Sequence, residues 1–448
     1  MTSRSDFLPP TRHYADHVHT LLDKAVHRIG QAGYDRLLIH SGRSHARFQD
    51  DYHAPFRAHG HFVHWLPLPS HADCLLEIVP GSRPKLWLCE PDDFWHAPPS
   101  PPQSWWADHY EIEVVTVADD WAHVLEIEKA TALIGDPVDF PALGRHADLN
   151  PERLLRGLDE DRTVKTDWQL DCLRAASRRA VAGHRAAREA FEDDGSELAI
   201  HLAYLAASAH DPNDLPYNSI VGLNEHAAIL HYQLRDAAPP DRHRTFLIDA
   251  GADCHGLASD ITRTWVRSDQ GLFADLLREM DALQLRLVAR MQPGMDYVML
   301  HEEAHRGVAR ILHDAGLVKM SIEAMIADRV TSRFYPHGLG HHLGVQVHDV
   351  AGRVGPDGSS LPPPEAHPFL RLTRTLEAGN VITVEPGLYF IPSLLADLRE
   401  GGLRDRFDWD AIDALIPYGG IRIEDDVVVR RGGAPENMTR DAFDTAGG

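Results

Sequence analysis

The chain has 448 residues, 43% of them hydrophobic and 25% charged, enough for two domains and the composition of a globular rather than a disordered or fibrous protein. Forty-four Lys and Arg against 67 Asp and Glu leave a formal charge of −23 at pH 7, a field that repels nucleic acid and anionic membrane surfaces. The opening segment lacks the basic start and apolar core of a secretory signal, and no apolar run is long enough for a membrane span, so a cytoplasmic protein is expected.

Residues 12–30 carry a helical pattern ending near Gly30, and LLIHSG (Leu37–Gly42) reads as a strand running into a turn. Further strands are expected at Cys74–Val79, Lys85–Cys89, Ile112–Val117 and Ala132–Gly135, with a Pro-rich surface loop at Ala97–Gln103. This is the texture of an α/β domain. Near residue 160 it gives way to a long Ala- and Arg-rich helical stretch ending at Gly195, and the domain boundary is placed there. Two amphipathic helices follow, one on Leu276, Met280, Leu283 and Leu287, stopped by Pro293-Gly294, the other on Leu300, Ala304, Val308 and Ile311. Strand-like runs around them make the second half mixed α+β. Cys74, Cys89, Cys172 and Cys254 form no CxxC pair and are read as reduced structural thiols.

Those later strands deliver acids. TFLID ends three apolar residues with Asp249, and Asp260 enters the β-branched run ITRTW eleven residues later. In NVITVEPG, Glu385 shares a strand face with Val381 and Thr383 before Pro386-Gly387 turns the chain. In GGIRIEDD, Arg422 and Glu424 share the face opposite Ile421 and Ile423. A buried acid is costly unless it is paired or metal-bound. One alone is more often structural, so the argument rests on the set.

FYPHGLGHHLGVQVHD adds His337, His341, His342 and His348. Gly338, Gly340 and Gly344 disfavour a continuous helix, so the segment reads as a turn and strand presenting imidazoles. Several carboxylates with one or two imidazoles and no thiolate match a divalent site of the Mn, Co or Zn type, and bridging carboxylates suggest two ions about 3.5–4 Å apart. A second metal pattern, HEEAH at His301–His305, matches HExxH on a helix. Its histidines are expected at a solvated edge beside the Leu300–Ile311 stripe, which sets a zincin centre aside.

In that order, DAGADCHGLASDITRTW, PHGLGHHLG, VHD, TVEPGLYF and GGIRIED resemble the pita-bread metallopeptidases, which include prolidases, aminopeptidase P and methionine aminopeptidase. LNEHAAILHY, FQDDYHAPF, HWLPL and PENMTR extend the similarity to bacterial prolidases, including those called organophosphorus acid anhydrolases, over nearly the whole chain. The resemblance implies an α+β fold: a smaller N-terminal α/β creatinase-like domain over 1–160 and a C-terminal pita-bread catalytic domain over 161–448. It implies two divalent ions, Mn²⁺ before Co²⁺ or Zn²⁺, on Asp249, Asp260, His341, Glu385 and Glu424, with Asp260 and Glu424 bridging.

By the same resemblance Glu385 moves protons as base and then acid, His348 stabilises the tetrahedral intermediate and His226 lies near the substrate. His337 and Arg422 stand behind the ligands as candidates to orient them or touch substrate, against the bland reading of a hydrogen-bonded pocket wall. Arg371, fourteen residues before Glu385, falls where prolidases hold a dipeptide's carboxylate, although Arg374 is close enough to compete. Tyr217 is expected to line the pocket and Asp51 to reach a neighbouring subunit's site in a homodimer, with a turn cap as the alternative for Asp51. The implied activity is release of proline from Xaa-Pro dipeptides, with promiscuous hydrolysis of organophosphorus bonds. Aminopeptidase P is the enzymatic rival; a metal-free binding module or creatinase-like hydrolase is disfavoured by five intact ligand positions.

Overall fold

The computed structural model describes residues 11–96, 102, 104–126, 129–139 and 147–445; most of the Pro-rich loop expected at Ala97–Gln103 lies outside them. Two compact units form, one of residues 9–172 with 254–257, the other built on 173–253 and 258–448.

In the first unit, α1 (Tyr14–Ala32) buries Val18, Leu21, Ala25 and Ile29 at helical spacing and stops at Gly33, whose φ of 81° suits a residue without a Cβ. A six-stranded mixed sheet runs in the order β4 (Glu111–Val115), β3 (Lys85–Cys89), β2 (Leu75–Ile78), β1 (Arg36–His40), β5 (Thr131–Ile134), β6 (Asp148–Leu149). β1 pairs antiparallel with β2 and parallel with β5, and all five of its residues are buried, which suits the apolar run Leu37–Ile39 at its centre. α2 (Gly60–Trp65) carries Trp65 into the core.

The long helical stretch is α4 (Asp167–Glu192), preceded by a separate helix, α3 (Glu152–Thr163), and the division between units falls within α4. Thr166 and Gln169 explain the break. The Thr166 N–H donates to Gln169 Oε1 at 3.1 Å while the Gln169 N–H reaches back to Thr166 Oγ1 at 3.4 Å, a reciprocal cap that starts a new helix.

In the second unit, α5 (Glu197–Ser208) precedes β7 (Ile220–Leu223), a 3₁₀ turn at Asn224–Ala228, β8 (Thr245–Asp249), the two-residue strands β9 (Asp253–Cys254) and β10 (Leu257–Ala258), and β11 (Thr262–Val266). β8 lies between β7 and β11, with Thr262 opposite Asp249. α6 (Leu272–Arg290) and α7 (Tyr297–Asp314) bury the two expected stripes against the strands that follow. They meet at Gly307, where a Cβ would sit 2.3 Å from a Leu283 methyl.

After α8 (Ile322–Ala327) and α9 (Thr331–Phe334) come β12 (Val381–Val384), β13 (Gly387–Tyr389), α10 (Pro392–Glu400), α11 (Trp409–Leu415), β14 (Gly420–Arg422), β15 (Asp425–Val428), β16 (Glu436–Asn437) and α12 (Met438–Thr445). β15 lies between β12 and β16, β13 pairs with β14, and a bridge from Thr262 to Glu424 joins this group to the β8 sheet. The histidine segment is not the strand expected of it. It is an irregular loop laid along β12, with the Leu343 N–H donating to Val381 O and the Thr383 N–H to His341 O. Its glycines serve contact rather than turning: a Cβ on Gly340 would stand 1.9 Å from the Thr383 carbonyl oxygen. No helix among the described residues is long and apolar enough to cross a membrane.

Candidate metal centre

Each acid arrives where an apolar strand ends or bends. Asp249 closes β8, Asp260 stands two residues before β11, Glu385 follows β12, and Glu424 is the second of the two residues between β14 and β15. Because Thr262 pairs with both Asp249 and Glu424, the ends of these strands fall together. Asp260, His341 and Glu424 each offer one ligand atom within 4.8 Å of the others, and all three are buried. His341 Nε2 is 3.4 Å from Asp260 Oδ2 and 3.8 Å from Glu385 Oε1.

The tautomer of His341 follows from its other nitrogen, 3.0 Å from the His342 carbonyl, an acceptor to which Nδ1–H must donate. Nε2 therefore turns toward two carboxylate oxygens, an arrangement that needs a proton or a metal ion between them. In the ion-free chain burial disfavours the imidazolium, but Asp260 and Glu385 outweigh it and hold the His341 pKa above its ordinary value. The acids carry the same imbalance. Burial, then crowding by Asp260, Glu385 and Asp249, pushes Glu424 well up; burial pushes Glu385 to about 7 and raises Asp249. Asp249 Oδ1 is buried without a hydrogen-bond partner among the described residues. Four carboxylates, one imidazole and an orphaned oxygen fit a divalent-ion site.

Around the five, a hydrogen-bond frame fixes orientation. Arg422 donates to Asp249 Oδ2 at 2.6 Å, to Thr262 Oγ1 at 3.0 Å and to the Tyr389 hydroxyl at 3.0 Å. Thr262 Oγ1 in turn donates to Glu424 Oε2 at 2.7 Å. Tyr389 lies 2.9 Å from His337 Nε2, while His337 Nδ1 donates to Gly338 O at 2.9 Å and stands 3.5 Å from Glu385 Oε2. Burial, then the charge of Arg422, lowers the His337 pKa to about 3, so it is neutral at pH 7. His348 packs edge-on against His341 at 4.4 Å between centroids, and burial, His341 and Arg371 lower its pKa to about 4.

Arg371 is exposed and close enough for its charge to act on His348, whereas Arg374 is buried and ion-paired to Glu377 at 3.1 Å. That takes Arg374 out of the competition. Tyr217 does more than line a pocket: its hydroxyl donates to Asp260 Oδ1 at 2.6 Å, and burial and the neighbouring acids keep it protonated. Asp51 lies in the exposed loop between β1 and α2, where its neighbour Asp50 caps the Tyr52 N–H at 3.2 Å.

His226, expected near the substrate, is anchored to a buried acid. Its Nδ1 pairs with the buried Glu197 at 2.8 Å and its ring stacks on Tyr232. The histidine of that segment whose charge reaches both His337 and His348 is His231, exposed at their edge. Sequence reasoning passed over it, and also over Thr262 and Asp426; an Asp426 carboxylate oxygen accepts the Asp260 N–H at 3.1 Å.

Residues 171–431 match the model of metallopeptidase family M24, and residues 12–159 that of the N-terminal domain of Xaa-Pro dipeptidases. A Xaa-Pro dipeptidase of Pseudoalteromonas translucida is 43% identical over 429 residues, 95% of this chain and 97% of its own. One from Xanthomonas axonopodis pv. citri is 43% identical over 435 residues, 97% and 98% of the two chains. Among solved structures, zinc-substituted E. coli aminopeptidase P with product superposes at a TM-score of 0.72 with 21% identity, covering 96% of this chain and 95% of that one. An aminopeptidase of Pseudomonas aeruginosa gives 0.71 with 21% identity over 97% and 95%. At that identity the likeness speaks for the fold.

Proposed function

From the premise that this chain belongs to metallopeptidase family M24, with the pita-bread catalytic domain and separate N-terminal domain of its prolidases, we propose that it is a dinuclear-metal dipeptidase hydrolysing Xaa-Pro dipeptides to release proline. The observation that carries the reading is the buried group of Asp260, His341 and Glu424 with Asp249 and Glu385 at its edge, holding more negative charge than their single arginine offsets. An oxygen-rich set with one imidazole favours Mn²⁺, with Co²⁺ or Zn²⁺ as substitutes. The bound ions would lower the pKa of water and polarise the scissile carbonyl.

The chain's own residues do the rest. Asp249, Asp260, His341, Glu385 and Glu424 would hold the ions. The Glu385 carboxylate takes up a proton and returns it to the leaving nitrogen, a role supported by its pKa near 7 in the ion-free chain. His348 and His231 present neutral or exposed imidazoles to the substrate's oxygen atoms, His231 taking the place first given to His226. The exposed Arg371 grips the dipeptide's free carboxylate, and an Xaa-Pro bond, lacking an N–H and fixed in φ, explains the need for a dedicated site. The prolidase resemblance also supports a cytoplasmic homodimer to which Asp51 contributes and a side activity on organophosphorus esters, whose tetrahedral centre mimics the transition state.

Proline release from a Xaa-Pro dipeptide and from its tripeptide extension, with chelator-stripped protein before and after Mn²⁺, tests the reading. Metal-dependent release from the dipeptide alone is expected. Cleavage of both would make the chain an aminopeptidase P, and silence on both across several metals would sink the enzymatic reading.

A further inference from the structure

The HExxH segment, set aside on its expected solvent exposure, is not at a solvated edge. His301 and His305 are 1% and 3% exposed on α7, because the apolar stripe is covered by Tyr335 and by the loop that carries His367. The three imidazoles close a triangle: 4.7 Å between His301 and His305, 4.4 Å between His301 and His367, and 4.5 Å between His305 and His367, by ring centroids. One ring nitrogen from each lies within 4.8 Å of the others. Nitrogen donors about 2.0–2.1 Å from a tetrahedral ion stand roughly 3.3 Å apart, a span that the half-buried His367 can close by turning its side chain.

The polar atoms are set for a ligand. His305 Nδ1 is 2.9 Å from Thr331 Oγ1; with Thr331 accepting, Nε2 carries the lone pair, the usual arrangement behind a metal-bound histidine. His301 Nδ1 and the Tyr335 hydroxyl are buried with no hydrogen-bond partner among the described residues, an expensive state unless something pairs them. Burial, then neighbouring histidines, keeps His301 and His305 neutral at pH 7, and burial lowers His367. A neutral imidazole keeps a ring-nitrogen lone pair that a metal ion can take. The charge of Glu302 acts on His367, placing an anion beside a would-be cation.

We propose that His301, His305 and His367 form a further metal site, separate from the carboxylate centre and selective for a zinc-type ion, with water in its fourth position. All-nitrogen ligation favours Zn²⁺, Co²⁺, Ni²⁺ and Cu²⁺ and disfavours Mn²⁺, Mg²⁺ and Ca²⁺, the opposite preference to a carboxylate cluster. The two sites are one ring apart: Tyr335 packs 4.8 Å from His305 on one side and 4.9 Å from His337 on the other. An ion at the histidines would tie the His367 loop to α7 behind that wall.

Titration of the chelator-stripped full-length chain with Co²⁺, followed by equilibrium dialysis and visible absorption, tests the site. Wild type should bind one more Co²⁺ per chain than His367→Ala, and only wild type should show the intense visible bands of four-coordinate Co²⁺. Mn²⁺ stoichiometry should be the same for both. Equal Co²⁺ stoichiometry, bands that survive in the variant, or a lost ion without a change in the bands would overturn the site, as would a parallel loss of Mn²⁺. His367 sits on a half-buried loop, so its replacement spares the packed helix; near-ultraviolet circular dichroism checks the fold, and His305→Gln repeats the test from the buried side. Because the readout is a difference between chains, it stands whether or not the carboxylate centre proves dinuclear.

Discussion

Glu424 and Asp425 are consecutive, both buried to within 2% exposure, and have opposite fates. Asp425 accepts from Arg263 at 2.6 Å, Arg440 at 2.8 Å and Asn437 at 2.7 Å, and these partners overcome burial to hold its pKa down to about 2. Glu424 points the other way, into a group of acids that one arginine cannot neutralise, and its pKa is driven well up. The difference separates an acid that completes a structure from one that awaits a cation. Burial alone does not distinguish them; the inventory of opposite charge does.

The sharpest break of this contrast is a pair of substitutions. Asp425→Ala leaves the buried Arg263 without its anion and should cost about 3–5 kcal/mol of folding stability by denaturant titration. Glu424→Gln removes a like charge, so the ion-free chain should be at least as stable as wild type while bound metal and peptidase activity fall by at least about 100-fold. If Glu424→Gln destabilised the ion-free chain as much as Asp425→Ala, the distinction would fail.

pH gives the same contrast with opposite signs. Glu385 rises from an ordinary 4.5 to about 7 in the folded ion-free chain, so its contribution to stability is full below 4.5 and is lost as pH rises through 7. Asp425 falls from 3.8 to about 2, so its contribution is full above 3.8 and is lost as pH drops through 2. Thermal unfolding of stripped protein should therefore show stability declining from pH 5 toward 8, a decline that saturating Mn²⁺ removes; a flat profile would refute the Glu385 assignment.

A smaller effect is expected at Arg371. Arg371→Ala should raise KM roughly 10- to 100-fold for a dipeptide with a free carboxylate, the worth of a charge-assisted hydrogen bond, and leave a carboxyl-blocked substrate unaffected. An equal change for both would make Arg371 structural. Smallest of all, Tyr217→Phe removes one hydrogen bond to Asp260 and should weaken metal binding roughly tenfold by competition with a chelator.

How much of this could be read from the text depends on whether the signal is local. Asp249, Glu385 and Glu424 stand out because a polar residue closes or interrupts an apolar strand, and the break between α3 and α4 was legible in the T-x-x-Q of Thr166–Gln169, though it went unread. The roles of Glu424 and Asp425 are not separable in GGIRIEDD, since the arginines that answer Asp425 come from β11 and α12. His226 and His231 are five residues apart in one motif, and the 3₁₀ turn at Asn224–Ala228 decides which of them faces Glu197. Burial of His301 and His305 depends on a loop sixty residues away. No periodicity in α7 could announce it.

Gly340 has a consequence for anyone wishing to re-engineer the centre. With no room for even a methyl group between its Cα and the Thr383 carbonyl, the main chain before His341 is pressed onto β12, the strand that leads directly into Glu385. The two donors behave as a single rigid cassette whose separation is written in backbone, not in side-chain rotamers. Retuning the centre for a larger ion would have to begin with Asp249, Asp260 or Glu424, because a change on the His341 side would drag Glu385 with it.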